Sequence, residues 1–135
     1  MTKYIELKGG TIQTLAEDPG TYPTGTWASG GNLNTHKGEP GTTVTGIQTS
    51  AINFFGSTTS GGEYTLTENV ETYNGSTWTE VADINTVRWG GGGAGISSTS
   101  ALGFGGYAPE TTPNRTTYTE SWNGTSWTEV NDLNL

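Results

Sequence analysis

The chain contains a copy of part of itself. Residues 71–81 read ETYNGSTWTEV and residues 120–130 read ESWNGTSWTEV, so the segment returns after 49 residues. A fainter third copy begins at Thr26-Trp27 and runs through Asn34-Thr35, which matches Asn85-Thr86. Such a repeat predicts a series of similar units packed against each other, because one unit alone cannot bury its apolar faces.

The length of the repeat indicates the kind of unit. A period near 50 residues in a Gly-rich, β-branched sequence is typical of a β-propeller blade. The chain of 135 residues holds two such units, whereas propellers contain about four to eight blades. We therefore expect uncovered blade faces that force assembly, and a homotrimer with six blades is the closure we favour. A different ring, an open stack and a fragment of a longer propeller remain alternatives.

Composition supports short strands joined by tight turns. Apolar residues make up 30% and charged residues 13%, while there are 22 glycines and five tryptophans. No apolar pattern with a 3.6-residue period lasts for two turns, and Gly or Pro interrupts every window, so we expect no helix.

Charge excludes several classes of partner. Thirteen acidic and five basic residues give a net charge of −8, and nucleic-acid binding requires a basic surface. We expect no membrane insertion, because no segment approaches about 20 apolar residues. Met1–Leu7 lacks the apolar run of a signal peptide, so a protein working outside a cell would leave by lysis. The absence of cysteine excludes disulfides and thiolate chemistry.

The repeat divides the chain into an arm and two blades. Residues 1–25 lie outside the repeat, and we interpret them as an attachment or oligomerisation arm; a loosely ordered tail is the alternative. The repeat region covers residues 26–135. It begins with a partial blade strand at Thr26–Leu33, followed by blade one at about 36–82 and blade two at about 86–131.

Each blade is predicted to contain four strands. In the second unit the strand-like runs are Gly92–Ser98, Ser100–Gly105, Thr116–Trp122 and Ser126–Val130. Asn123-Gly124 and its counterpart Asn74-Gly75 predict type I′ hairpin turns. The polar segments Ser57–Glu63 and Ala108–Arg115 are predicted to be exposed connections.

The order of residues in the second unit resembles a kelch repeat. Arg88 precedes a Gly-rich strand, Gly105-Gly106 ends the second strand, Trp122 closes the third and Trp127 opens the fourth. In the first unit the glycine pair is reduced to Phe55-Gly56, and the Arg88 equivalent is Lys37 or absent. The resemblance implies an all-β fold of kelch-like propeller blades with aromatic residues between them. The recurring aromatic positions are Trp27, Tyr73, Trp78, Trp122 and Trp127.

A second resemblance concerns the biological setting in which such repeats occur. The compact form of residues 73–81, with a short head ending in Ala16–Pro19, is similar to the kelch-like repeats of marine bacteriophage tail and other virion proteins. It implies a tail-fibre or appendage subunit located in the virion, with other virion tail proteins and a host surface glycan or protein as partners. A lectin-like or scaffolding kelch propeller of bacterial origin is the alternative.

Enzymatic chemistry has little support in the sequence. His36 is the only histidine, and no oriented partner accompanies it. Kelch copper radical oxidases need a Cys–Tyr crosslink and several histidines, which this chain lacks.

Glu80 with Asp83 and Glu129 with Asp132 recur in both units, whereas an active site is seldom built twice; weak calcium binding stays open. Residues 90–95 lack the Lys-Ser/Thr of a phosphate-binding loop and are predicted to form an inner strand. We therefore predict no enzyme and no cofactor.

One group of residues is a candidate contact with a ligand or host. Trp89 and Tyr107 do not recur in the first unit, and Asn114 and Arg115 lie in the loop after Tyr107. Aromatic rings suit the C–H face of a sugar, so these four residues predict a sugar-stacking surface. Ordinary packing of the aromatic residues is the alternative.

Overall fold

A computed structural model of the chain describes residues 28–38, 43–60, 63–109 and 114–134. Within these ranges the fold is all-β: ten strands form three antiparallel sheets, and there is no helix. The predicted all-β class is therefore confirmed. The arm at residues 1–25 lies outside the described residues, as do Thr26 and Trp27.

Two four-stranded sheets have the same internal order. The first sheet has the order β1-β2-β5-β6 and the second has the order β7-β8-β9-β10. The strands of the first sheet are β1 (Thr43–Ile47), β2 (Ser50–Phe54), β5 (Val70–Tyr73) and β6 (Trp78–Val81). Those of the second are β7 (Gly92–Ser97), β8 (Ser100–Phe104), β9 (Thr119–Trp122) and β10 (Trp127–Val130). All four predicted runs of the second unit are strands, and β9 begins three residues later than predicted.

Between the equivalent glycines Gly46 and Gly95 and the second strands that follow them, the second unit has one residue more than the first. A β-bulge accommodates this residue. Gly46 pairs with Ala51 and Ile47 with Ser50 in the first sheet, whereas Gly95 pairs with Ala101 and Ser97 with Ser100 in the second. Ile96 is left between the two pairs, where the register shifts. The extra residue is absorbed locally, so the rest of the two sheets stays in register.

The connection between β2 and β5 is not the loop that the sequence predicted. Strands β3 (Ser57–Ser60) and β4 (Glu63–Leu66) pair to form a separate hairpin. The prediction of an irregular connection at Ser57–Glu63 is therefore wrong. Threonines and serines have side chains that fit an extended strand, and pairing satisfies the backbone groups of a long connection.

The hairpin turns are also not of type I′. That turn requires a positive φ at both central residues, but Asn74 and Asn123 are not among the residues with positive φ, whereas Gly124 has a φ of 94°. Instead the Asn123 side-chain oxygen accepts hydrogen bonds from the backbone N–H groups of Thr125 (2.9 Å) and Ser126 (3.0 Å). The side chain thus caps a four-residue loop, as asparagine commonly does in turns.

The predicted partial strand at Thr26–Leu33 is wrong for its described part. Residues 28–33 form no strand. A strand is stable only when a neighbour pairs with its backbone, and none of the described strands pairs with these residues. Trp78 contacts them instead, because its Nε1–H donates to the carbonyl oxygen of Gly31 at 3.1 Å.

The two sheets pack face to face through unlike faces. We call the face that bears Ile52, Phe54, Val70 and Val81 the back face of the first sheet. Its opposite is the front face, and the second sheet has the equivalent two faces. The back face of the first sheet packs on the front face of the second, which bears Ala101, Gly103, Glu120, Trp122 and Trp127. The apolar residues among these, apart from Gly103, form the hydrophobic core together with Phe55 and Ile84.

Hydrogen bonds join the inner strands of the two sheets. Thr45 Oγ1–H donates to the carbonyl oxygen of Gly95 at 2.9 Å. At the hairpin tips the hydroxyl oxygens of Ser50 and Ser98 lie 2.9 Å apart, and the Ser98 N–H donates to Ser50 Oγ. These bonds fix how far one sheet is shifted along the other.

Candidate functional site

The four candidate contact residues come together at one end of the second sheet. Trp89 and Tyr107 form an isolated antiparallel bridge, and Tyr107 forms a second bridge with Arg115. The backbone bonds are Trp89 N–H to Tyr107 O at 3.1 Å and Tyr107 N–H to Trp89 O at 2.8 Å. Asn114 adjoins them, because its carbonyl oxygen accepts from the Ala108 N–H. We call these four residues the aromatic patch.

The aromatic patch presents rings and a cation to solvent. The ring centroids of Trp89 and Tyr107 lie 5.4 Å apart with their planes tilted by 47°. Tyr107, Asn114 and Arg115 are exposed and Trp89 is half-buried. Within the described residues Arg115 makes no ion pair. Two adjacent rings and a guanidinium could stack on a sugar and hydrogen-bond its hydroxyl groups. The Asn114 amide instead donates to the carbonyl oxygen of Pro109 at 3.0 Å and holds the loop.

The first sheet has no such patch at the equivalent place. Gly38 forms a bridge with Ser57 there, so these two residues stand where Trp89 and Tyr107 stand in the second sheet. The aromatic patch is therefore specific to the second unit. An aromatic residue needed only for the shared fold would be expected in both units.

The recurring aromatic residues form one ring pair on each front face. Tyr73 and Trp78 have ring centroids 5.0 Å apart, and Trp122 and Trp127 have theirs 5.4 Å apart. The second pair is buried under the first sheet, and Phe54 approaches Trp127 at 5.0 Å. The first pair is half-buried.

The glycine pair differs between the units as the sequence indicates. Gly105 and Gly106 have φ values of 63° and 108°, and Phe55 and Gly56 have 61° and 111°. Phe55 therefore adopts a left-handed backbone, which is unfavourable for a residue with a bulky side chain. Its ring is fully buried, 4.9 Å from the ring of Phe54. This packing compensates for the strain.

A buried ion pair lies on the front face of the second sheet, where the first sheet packs against it. Arg88 Nη1 lies 2.6 Å from Glu120 Oε1, and both side chains are excluded from solvent. The carboxylate also accepts from the N–H groups of Asn85 (2.9 Å) and Thr86 (3.2 Å). The guanidinium carbon lies 4.5 Å from the ring centroid of Phe55. The pair thus ties the segment before β7 to β9 and to the first sheet.

The first sheet repeats this arrangement with a lysine. Glu71 accepts from the N–H groups of Asn34 and Thr35 at 2.8 and 2.9 Å. Lys37 follows them as Arg88 follows Asn85-Thr86, so Lys37 is the Arg88 equivalent. Its Nζ donates to the carbonyl oxygen of Asn69. Burial lowers the pKa of Lys37 from 10.5 to about 8, and the carboxylate of Glu71 opposes that shift.

Sequence reasoning missed the role of Glu71 and Glu120. Both lie in the repeated segment, but only their recurrence was visible. Successive residues of a strand face opposite sides of the sheet. Each carboxylate therefore lies on the same face as the aromatic residue two positions later, and that face is packed. This was the signal available in the sequence. A charge there needs partners.

The repeated carboxylates do not form a common centre. Glu80 and Asp83 are exposed and line a cavity of about 230 Å³ with Leu66, Thr67, Glu68 and Asn69. In the second sheet, Asp132 accepts from the Thr117 hydroxyl at 3.3 Å. Within the described residues no three His, Cys, Asp or Glu side chains are placed to hold a metal ion. His36 is exposed.

The glycine-rich segment lies in a strand, as expected. Gly92 to Gly95 belong to β7, which pairs with β8 and packs against β1. A Cβ atom at Gly92 would lie 2.4 Å from Cε2 of Phe104, so a larger residue there would displace the Phe104 ring. Among the described residues no helix is long and apolar enough to cross a membrane.

Comparison with known proteins does not assign the chain. No protein-family model matches it, and no curated protein is similar to it.

Proposed function

We propose that this chain is a non-enzymatic structural subunit that self-assembles through the faces of two kelch-like propeller blades. The first and second sheets are these blades. Its proposed setting is the virion of a bacteriophage, in a tail fibre or appendage.

One observation carries the proposal of self-assembly. The back face of the first sheet is covered by the second sheet, but none of the residues that the structure describes covers the equivalent face of the second sheet. Leu102 and Leu133 occupy the places of Ile52 and Ile84 and are 40% and 45% exposed. Exposed apolar residues grouped on one sheet face are typical of an interaction surface.

A ring of three copies is the proposed assembly. Three copies would supply six blades, which is within the range of closed propellers. A ring forms when each copy uses two different faces and the rotation closes. The virion setting rests on the likeness of residues 73–81 to repeats of bacteriophage virion proteins, and other virion tail proteins are the proposed partners there.

The repeat itself supports a non-enzymatic role. Glu80 with Asp83 and Glu129 with Asp132 lie at equivalent places in two equivalent blades. A catalytic pair works in one defined environment, with unlike pKa values set by unlike surroundings. Two copies at exposed positions are better explained as solvated residues near strand ends.

The aromatic patch supports attachment to a host surface, where it would bind a glycan or protein. This feature is also the observation that favours the alternative, a lectin-like or scaffolding propeller of bacterial origin. The two functions differ in where the protein is found and not in what the patch binds.

Two experiments test the proposal. Mass spectrometry of purified phage particles from the source should detect the chain in virions; its absence from particles while it is abundant in cells would favour the bacterial alternative. Light scattering should give a mass three times the 14.2 kDa of the chain. A monomer at all concentrations would contradict self-assembly.

A glycan array tests the attachment role. Binding that is lost in Trp89→Ala and Tyr107→Ala but kept in the exposed control Ile96→Ala would support the patch. If binding survives both aromatic substitutions, the patch is not the attachment site.

A further inference from the structure

We infer that the back face of the second sheet docks onto the front face of the first sheet in a second copy of this chain, head to tail. The inference rests on the proposed self-assembly and names its surfaces. It places Phe104 of one copy against Trp78 of the next.

The chain itself contains the template for this contact. Inside one copy, Phe54 on a back face packs against Trp127 on a front face. The equivalent of Phe54 is Phe104, since both end the second strand of their sheet, and the equivalent of Trp127 is Trp78, since both begin the fourth. Phe104 and Trp78 are each only half-buried. Phe104 therefore has room for the partner that Phe54 already has, and Trp78 gains such a partner when residues 28–33, which contact its Nε1, move aside.

The back faces agree at four of five apolar positions; the exception is Val70, whose equivalent is Thr119. In the first sheet this face and the segment after it carry Ile52, Phe54, Val81 and Ile84. In the second sheet the same positions carry Leu102, Phe104, Val130 and Leu133. Ile52, Phe54 and Ile84 are buried, whereas Leu102, Val130 and Leu133 are exposed. The apolar pattern is kept although nothing in the described chain covers it in the second sheet.

The front face of the first sheet offers the matching ring pair. Tyr73 and Trp78 lie as Trp122 and Trp127 lie, with centroids at similar separations. Residues 28–33 contact this pair through the bond from Trp78 Nε1–H to Gly31 O. An incoming sheet displaces that segment and breaks this exposed hydrogen bond; in the equivalent contact Trp127 Nε1 has no partner.

A second copy is the occupant that these observations favour. The contact uses two different faces of the chain, so it is heterologous and leads to a ring or a stack. A twofold contact between two back faces would instead place Phe104 against Phe104 and leave both Tyr73–Trp78 pairs open.

Two variants and their mixture test the inference by light scattering. Leu102→Asp places a charge in the back face, and Trp78→Ala removes the ring from the front face; each should weaken association about 100-fold or more. Ile96→Asp is the matched control, because Ile96 is 78% exposed at a hairpin tip and should keep the wild-type mass.

The mixture separates a head-to-tail contact from every other one. Leu102→Asp keeps an intact front face and Trp78→Ala an intact back face, so the two monomers should form a 1:1 heterodimer. If Trp78→Ala does not fold, as judged by circular dichroism, Tyr73→Ser is used in its place.

The outcomes are distinct. A monomeric wild-type protein overturns self-assembly and the inference together. An oligomeric wild type whose Leu102→Asp variant keeps its mass overturns only the inference, and so do two folded monomers that fail to pair when mixed.

Discussion

Phe54 meets Trp127 edge to face, with ring centroids 5.0 Å apart and ring planes inclined by 67°. The two residues belong to different repeats, and their contact lies in the middle of the hydrophobic core. The core is therefore an interface between two repeats and not the interior of either one. This explains why the back face of the second sheet, which no described residue covers, exposes Leu102, Val130 and Leu133.

Truncation of equivalent phenylalanines should have unequal effects on stability. Phe54→Ala should lower the free energy of unfolding by about 3–5 kcal/mol, because it leaves a cavity in the core. Phe104→Ala should cost clearly less, since its ring is partly exposed. Urea denaturation at a protein concentration low enough to keep both variants monomeric measures the difference. Equal losses would contradict the difference in burial between the two rings.

The buried ion pair should behave as a unit. Glu120→Gln alone leaves the buried charge of Arg88 uncompensated, and Arg88→Met alone leaves that of Glu120 uncompensated. Each single substitution should cost about 3–5 kcal/mol. The double variant Arg88→Met/Glu120→Gln should lose much less than the sum of the two single losses. A double-mutant cycle by chemical denaturation checks this. Strictly additive losses would mean that the two groups do not stabilise each other.

The hairpin loop should depend on an acceptor oxygen at position 123. Asn123→Ala removes the acceptor of two backbone N–H groups and should cost about 1 kcal/mol. Asn123→Asp keeps an acceptor at the same place and is the control. Thermal unfolding of both variants measures the loss. If Ala and Asp are equally stable, the side chain does not hold the loop.

Lys37 should make stability depend on pH above neutrality. Its pKa is about 8 in the folded chain and about 10.4 in the unfolded chain. Between these values the unfolded chain binds more protons, so the free energy of unfolding rises with pH. The charged form is thus the costly one, and its cost is fully present below pH 8.

Lys37→Arg is the control, because arginine stays charged throughout this range. From pH 7 to pH 10 the wild type should gain about 1 kcal/mol relative to Lys37→Arg, less than the full shift implies because Lys37 is partly exposed. Denaturation at both pH values measures the gain. A constant difference would show that Lys37 is not deprotonated on folding.

The strands were predictable where the pattern depends on local chemistry. Alternating residues around Trp122 and Trp127 place two rings on one face, and the structure has both strands and the ring pair. Phe55 was recognised as a departure from the glycine pair, but its left-handed backbone depends on contacts with Phe54 and Arg88. Such contacts join residues far apart in sequence, so no local pattern contains them.

Three predictions failed for a common reason. Asn123-Gly124 could form either a two-residue turn or a capped loop, and the pairing of Trp122 with Trp127 decides in favour of the loop. The segment Ser57–Ser60 became a strand because Glu63–Leu66 pairs with it. Residues 28–33 are not a strand because none of the described strands pairs with them. In each case the partner determined the structure.

The candidate site was likewise predictable from the sequence only in part. The sequence singled out Trp89 and Tyr107 because they do not recur, and the structure makes them neighbours. The burial of Lys37 and Glu71 in the same part of the first sheet was missed, because four strands separate the two residues in the sequence. The uncovered back face could not be seen before the register of β8 and β9 was known.

Cysteine cross-linking tests the head-to-tail contact most directly, since the chain has no cysteine of its own. Within one copy, Ser50 and Ser98 touch at 2.9 Å between hydroxyl oxygens, which is close enough for a disulfide between cysteines at these positions. Ser50→Cys/Ser98→Cys should therefore close within the chain and stay monomeric on a non-reducing gel. The equivalent positions across the proposed contact are Ser100 and Gln48.

Ser100→Cys/Gln48→Cys should form covalent dimers and trimers on oxidation, which reduction returns to monomers. The gel of the oxidised protein is the decisive measurement. Bands that end at the trimer are the result that the account predicts. If the Ser50/Ser98 control closes its disulfide while Ser100→Cys/Gln48→Cys remains monomeric, the back face of one copy does not dock on the front face of the next.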